Sequence, residues 1–153
     1  MSNKVAVVGL GNYALKDEGA GIHALRYLKE NNPLLQADLI EAGTSGFGMY
    51  ALIRSYARVL ILDAVEMGKP AGTIGRFSAD QLIASQKSFS LHEMGLAEVI
   101  KLGQALGEDF SRVTVFGIQP QEISYSEELS GVVQDKIPEL AAEVVKATGK
   151  GGR

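Results

Sequence analysis

The stretch Val5-Ala-Val-Val-Gly-Leu-Gly-Asn-Tyr-Ala-Leu-Lys-Asp-Glu-Gly-Ala-Gly21 decides the fold of this chain. It begins as an apolar strand and continues into Gly9-x-Gly11-x-x-Ala14, which satisfies the loose fingerprint of dinucleotide-binding proteins. Further along, Asp17 and Glu18 stand where a bound phosphate would be repelled. A pyrophosphate also needs a helix that begins directly after the glycines. The two carboxylates would instead attract a cation, so this loop has two interpretations.

The rest of the chain alternates short runs rich in valine and isoleucine with longer stretches of helical period. This alternation is typical of a parallel sheet that is covered by helices. We therefore expect an α/β fold, a three-layer α/β/α sandwich with a mostly parallel but mixed five-stranded sheet. The predicted strands are Lys4–Gly9, Asp38–Glu41, Arg58–Asp63, Thr73–Phe77 and Arg112–Ile118.

The predicted helices follow from apolar residues at helical spacing and from residues that start or stop helices. They cover Ile22 to Pro33, Gly46 to Tyr56, Ser90 to Gly107 and Ser130 to Ala147. The third helix is expected to begin with a capping box, in which Ser90 is the N-cap and Glu93 is at N3. The last helix is expected to bend at Pro138, because proline removes a helical hydrogen bond.

The connection between the third and fourth predicted strands, Val65–Gly72, is too short for a crossover helix. We therefore expect a hairpin-like loop there and one strand that runs antiparallel to the others. A length of 153 residues suits one compact domain. Residues 1–147 are expected to form this single domain, and residues 148–153 a flexible tail.

The composition limits the classes of partner. The formal net charge is -3, acidic and basic residues are interspersed, and cysteine is absent. Without a basic stripe, neither nucleic acid nor a membrane surface is an expected partner. The lack of cysteine excludes disulfides, thiolate metal ligands and a cysteine nucleophile. No apolar run approaches the roughly 20 residues of a membrane span, so we expect a soluble protein. We also expect it to be cytoplasmic and monomeric.

Three side chains are expected at the carboxyl edge of the sheet, where open parallel sheets place their working crevice. Glu18 follows the first strand, Asp63 ends the third, and His92 precedes a later helix. Two oxygens and one imidazole nitrogen suit nickel or zinc and leave positions open for water or substrate. Each residue also has a purely structural interpretation, as a helix-start acid, a strand-end acid and a solvated histidine. Their convergence on one edge favours the metal site.

A series of motifs in a fixed order spans nearly the whole chain. They are Val7-Val-Gly-Leu-Gly-Asn12, Asp17-Glu-Gly-Ala-Gly21, Glu41-Ala-Gly-Thr-Ser-Gly46, Leu60-Ile-Leu-Asp-Ala64, Pro70-Ala-Gly-Thr73, Ser90-Leu-His-Glu-Met-Gly-Leu96 and Gly117-Ile-Gln-Pro120. In these motifs the chain resembles the hydrogenase maturation endopeptidases. The resemblance implies a cytosolic protease that removes a short C-terminal extension from the large-subunit precursor of a nickel-iron hydrogenase, once nickel has been inserted.

The resemblance also implies that the substrate supplies the nickel, which Glu18, Asp63 and His92 recognise, so that the isolated protein binds nickel weakly or not at all. Glu18 and Asp63 are the catalytic candidates, because either one can orient or deprotonate a water molecule. Asp17 is a reserve ligand or orients its neighbour. The family usually has Asp-Gly-Gly-Thr where this chain has Glu41-Ala-Gly-Thr44. That loop is associated with substrate selection, so the sequence leaves open which hydrogenase is processed.

The alternative is a non-catalytic α/β module that checks nickel loading or binds a dinucleotide. In the dinucleotide case, Glu41 would hold a ribose hydroxyl. A serine hydrolase is disfavoured, since the chain has no Gly-x-Ser-x-Gly motif.

Overall fold

The computed structural model describes residues 4–43, 48–85 and 95–149. In these residues a five-stranded sheet has the order β2-β1-β3-β5-β4. Its strands are β1 (Val5–Leu10), β2 (Asp38–Gly43), β3 (Arg58–Ala64), β4 (Ile74–Ser78) and β5 (Val113–Ile118). The pairs β1–β2, β1–β3 and β3–β5 are parallel, and β4 is antiparallel to β5. The expected mixed, mostly parallel sheet is confirmed.

Helices cover both faces of this sheet. They are α1 (Ala20–Asn31), α2 (Gly48–Ser55), α3 (Ala79–Ser85), α4 (Leu96–Ala105), α5 (Gly131–Gln134) and α6 (Ile137–Thr148), with a 3₁₀ turn at Lys16–Gly19. One apolar core joins α1, α5 and α6 to the sheet, and a second joins α2, α3 and α4 to it. Neighbouring residues of β1 enter different cores, Val7 the first and Val8 the second. Because successive strand residues point to opposite faces, this arrangement is a three-layer sandwich.

The order of the last strands corrects one prediction. β3 and β4 do not form a hairpin, because β5 lies between them and pairs with both. The composition of the strands gives the reason: β5 is Val113-Thr-Val-Phe-Gly-Ile118 and is nearly all buried, whereas β4 carries Arg76 and Ser78, which are exposed. The apolar strand therefore takes the interior position and the more polar strand takes the edge. The expected antiparallel strand is confirmed, but its partner is β5.

The start of α4 corrects a second prediction. Gly95 has an extended backbone and is the N-cap of α4, so this helix begins after the predicted N-cap. The backbone N–H of Gly95 donates a hydrogen bond of 3.0 Å to Oε1 of Glu98, as in half of a capping box. Ser90 and Glu93, which form the predicted box, lie outside the described residues. The predicted end is confirmed, since Gly107 follows the helix with a φ of 89°.

The last predicted helix is divided. A turn at residues 135–136 separates α5 from α6, and Pro138 lies in the first turn of α6. Proline is well tolerated there because a first-turn N–H has no partner within the helix. Pro138 therefore starts a helix, and the prediction that it bends one was wrong. No helix in the described ranges is long and apolar enough to cross a membrane.

Candidate active site

Two glycines of the opening stretch allow α1 to pack directly on the sheet. A Cβ atom on Gly9 would lie 2.8 Å from the carbonyl oxygen of Gly21. A Cβ atom on Gly21 would lie 2.2 Å from the carbonyl oxygen of Leu62 and 2.4 Å from that of Leu10. These two glycines therefore let the start of α1 lie in close contact with the backbone of β1 and β3.

The third glycine, Gly11, supports the turn that carries the predicted site residue Glu18. Gly11 has a φ of 126°, and a Cβ atom there would lie 2.0 Å from the carbonyl oxygen of Glu18. Its N–H donates a hydrogen bond of 2.9 Å to the carbonyl oxygen of Gly43, at the end of β2. Gly11 therefore allows the glycine loop to lie directly against the backbone of Glu18 in the 3₁₀ turn.

Asp63 lies near the carboxyl end of β3, in register with Gly117 of β5, and is partly buried. Desolvation on burial raises the pKa of its carboxyl group to about 7, against the opposing effect of a hydrogen bond from the backbone of Ala64. The negative charge of Glu18 raises this pKa further. Asp63 is therefore a carboxyl group that gains and loses a proton near neutral pH.

The structure brings Glu18 and Asp63 together. Glu18 is partly buried on the 3₁₀ turn, which packs against β3, and its charge acts directly on Asp63. His92 lies outside the described residues, so its place beside this pair stays a prediction. In the part of the chain that the structure describes, no group of three histidine, cysteine or acidic side chains is arranged to hold a metal ion.

Asp17 has a different role from its neighbour. Its side chain is 0% exposed, and both carboxylate oxygens accept hydrogen bonds. Oδ2 accepts them from the N–H groups of Gln121 (2.8 Å) and Glu122 (2.9 Å) and from the hydroxyl of Ser130 (2.7 Å), and Oδ1 from the N–H of Ser130 (2.8 Å). Asp17 is thus committed to a structural contact, which disfavours its use as a reserve ligand.

These hydrogen bonds also determine the charge of Asp17. Desolvation raises the pKa of its carboxyl group, but the hydrogen bonds from Ser130, Glu122 and Gln121 together outweigh this effect, so the pKa lies below its usual value. Ser130 is not among the residues that the sequence predicts at this site. No local pattern could have identified it, because Ser130 and Asp17 are 113 positions apart.

A cleft of about 510 Å³ borders the glycine loop. Its lining residues are Gly11, Asn12, Tyr13, Ile22, Arg26, Glu41, Ala42 and Gly43. Arg26 binds both carboxylate oxygens of Glu41, at 2.8 and 3.2 Å, and its guanidinium lies 4.5 Å from the ring centroid of Tyr13. The hydrogen bonds from Arg26 lower the pKa of Glu41 despite some desolvation. Glu41 is therefore engaged by Arg26, which disfavours the predicted contact with a ribose hydroxyl.

A model of the hydrogenase maturation protease family matches residues 22–147. This range contains Asp63 and His92, while Glu18 precedes it. The hydrogenase expression/formation protein HoxM of Cupriavidus necator is 30% identical, over 95% of this chain and 75% of its own length.

Solved structures show the same fold. The hydrogenase maturation protease HybD of Thermococcus kodakarensis is 30% identical with a TM-score of 0.74, over 94% of this chain and 97% of that one. The hydrogenase maturating endopeptidase HybD of Escherichia coli has a TM-score of 0.77 over 97% of this chain and 94% of that one. At 23% identity, the similarity to this second structure shows only that the fold is shared.

Proposed function

Because this chain belongs to the hydrogenase maturation protease family and is an endopeptidase, we propose that it cuts a C-terminal extension from a nickel-loaded hydrogenase large-subunit precursor. The observation that carries the proposal is the pairing of Glu18 with Asp63 at the carboxyl end of β3. Two carboxylates that repel each other in a partly desolvated place are suited to receive a cation.

The chemistry of the donor set fits a substrate-borne nickel ion. A divalent cation between Glu18 and Asp63 would offset both causes that raise the pKa of Asp63, its desolvation and the nearby negative charge. Two carboxylates, with the imidazole of His92 as a third donor, form an incomplete shell for nickel. The precursor would supply the remaining ligands. We therefore expect the isolated protein to bind nickel weakly.

The two acids would divide the work of peptide hydrolysis. Asp63 would accept a proton from the attacking water and pass it to the amine that leaves. Glu18, held on the 3₁₀ turn, would keep the water or the metal in place. The nickel ion of the substrate would polarise the scissile carbonyl group or acidify a bound water.

A processing assay tests this proposal. Large-subunit precursor is purified with and without nickel from cells that lack the protease, incubated with this protein, and separated by mass. We expect a shortened subunit only from the nickel-loaded precursor. Binding of the loaded precursor without cleavage would favour the alternative of a nickel-checking module, and equal cleavage of both precursors would refute nickel recognition.

Three further properties remain predictions: a cytoplasmic location, a monomeric state, and a single domain at residues 1–147 followed by a flexible tail. Size-exclusion chromatography with light scattering would measure the monomeric state directly.

A further inference from the structure

Residues 121–130, which we call the 121–130 segment, lie against the turn that carries Glu18. The N–H of Lys16 donates a hydrogen bond of 2.8 Å to the carbonyl oxygen of Ser126, and the N–H of Ser126 donates one of 2.9 Å to that of Ala14. The N–H of Asp17 contacts the carbonyl oxygen of Glu122 at 3.3 Å. The backbone of the segment is thus paired directly with the backbone next to Glu18.

Side chains hold the same segment at further points. Beneath it, buried Asp17 accepts the four hydrogen bonds described above, and Nε2 of His23 lies 3.1 Å from the carbonyl oxygen of Glu127. A backbone hydrogen bond also anchors the chain just before the segment, where the N–H of Gln119 donates to the carbonyl oxygen of Thr73 at 2.8 Å. Although the segment forms no helix or strand, hydrogen bonds tie its backbone to the rest of the protein at several points.

The segment presents apolar side chains to solvent. Tyr125 is 93% exposed, the largest value for a large apolar side chain in the described residues, and Ile123 is 49% exposed. An exposed tyrosine on a fixed backbone loses little conformational entropy when a partner covers it. This combination is typical of contact residues in protein interfaces, where aromatic anchors dominate the binding free energy.

We propose that the 121–130 segment is a docking surface for the precursor, with Ile123 and Tyr125 packing against an apolar patch of that protein. The proposal rests on the proposed function above. The precursor is the expected partner because the segment is continuous with the candidate active site. Asp17 accepts hydrogen bonds from the segment and is the residue next to Glu18 in the chain. A polypeptide that places its scissile bond at Glu18 therefore comes within reach of this surface.

The charge of the 121–130 segment predicts which residues surround the apolar patch on the precursor. The segment carries Glu122, Glu127 and Glu128 and no lysine or arginine, and all three glutamates are exposed. Basic residues of the precursor would complement them around the apolar contact. We therefore expect added salt to raise KM for wild-type protein, because salt screens exposed charges.

The test compares Tyr125→Ser and Ile123→Ser with Leu34→Ser as the matched control. Leu34 is 91% exposed and precedes β2, at the sheet edge opposite the carboxyl ends of the strands. KM and kcat are measured with purified nickel-loaded precursor, Kd for the same precursor by calorimetry, and Tm for every variant. We expect Tyr125→Ser to raise KM and Kd roughly tenfold with kcat and Tm unchanged, because it removes binding energy common to ground and transition states.

Ile123→Ser should act in the same direction, and Leu34→Ser should leave KM, kcat, Kd and Tm at wild-type values. Wild-type KM and Kd in both segment variants would overturn the proposal. A lower Tm, or a lower kcat with unchanged KM, would also overturn it, since either result means a structural or catalytic role. If wild-type protein binds the precursor but cleaves nothing, the proposed function fails while Kd still decides the docking surface.

Discussion

Ser130 binds both carboxylate oxygens of Asp17, through its hydroxyl at 2.7 Å and its backbone N–H at 2.8 Å. Both residues are buried. The contact links the turn that carries Glu18 to the start of α5, so the position of a catalytic candidate depends on a buried charged hydrogen bond.

Replacing Ser130 by alanine removes one of the hydrogen bonds to this carboxylate and leaves the backbone N–H in place. We expect the free energy of unfolding to fall by about 1–3 kcal/mol, because a buried charged acceptor loses a donor. Urea titration measures the change. Ser55→Ala, at an exposed helix position, should change it by less than about 0.5 kcal/mol; equal effects of the two substitutions would contradict the role of Ser130.

Asp17 should make the protein sensitive to acid. A carboxyl group whose pKa is lowered on folding adds stability above its unfolded-state pKa of about 3.9 and loses it as the pH falls through the folded-state value. Wild-type protein should therefore lose stability below about pH 4 more steeply than Asp17→Asn, which lacks this contribution at every pH. Parallel pH profiles of the free energy of unfolding would refute this assignment.

Asp63 should have the opposite effect on stability. Its pKa is raised to about 7, so the folded state holds this proton more tightly and stability falls as the pH rises from about 4 to 7. Asp63→Asn removes this cost. We expect the variant to be more stable than wild type at about pH 8, by an amount on the order of 1–3 kcal/mol, and the advantage to vanish below about pH 4. Processing should be lost, and a destabilised variant at pH 8 would contradict the interpretation.

Glu18→Gln keeps the shape of the side chain but removes its charge. We expect processing of nickel-loaded precursor to fall about 100-fold, because the water or the metal is no longer held in place and a misplaced reacting group costs on the order of 100-fold in rate. The Tm should hold or rise, because repulsion with Asp63 is relieved. Glu30→Gln, at an exposed position of α1, is the control for both measurements. Wild-type processing by Glu18→Gln would remove Glu18 from the site.

Gly21→Ala tests the packing of α1 on the sheet. The added methyl group would lie 2.2 Å from the carbonyl oxygen of Leu62, so α1 must move and the 3₁₀ turn moves with it. We expect a loss of about 1–3 kcal/mol in stability together with a loss of processing. The matched control is Gly131→Ala, where the added methyl group contacts nothing within 4 Å. Equal stability of the two variants would show that α1 tolerates the displacement.

Much of the fold could be predicted because the relevant signals are local. The apolar runs of all five strands and the helical spacing of α1 depend on neighbouring residues, so their positions were right within a few residues. The place of β5 between β3 and β4 depends on pairing between distant segments. The residues between β3 and β4 do not indicate that β5, which comes later in the chain, will lie between these two strands. A hairpin-like connection was therefore expected.

The sequence by itself determined that the glycine loop leads into two adjacent acids and that at most one of them faces a site shared with Asp63. This follows from the geometry of successive residues in a helical turn, which point about 100° apart. Only the tertiary structure decided which acid has the structural role and which lies at the site. Asp17 is buried against Ser130, which is 113 positions away, and Glu18 is left beside Asp63. The physical reason is that a buried carboxylate needs donors, and only the folded chain brings them to Asp17.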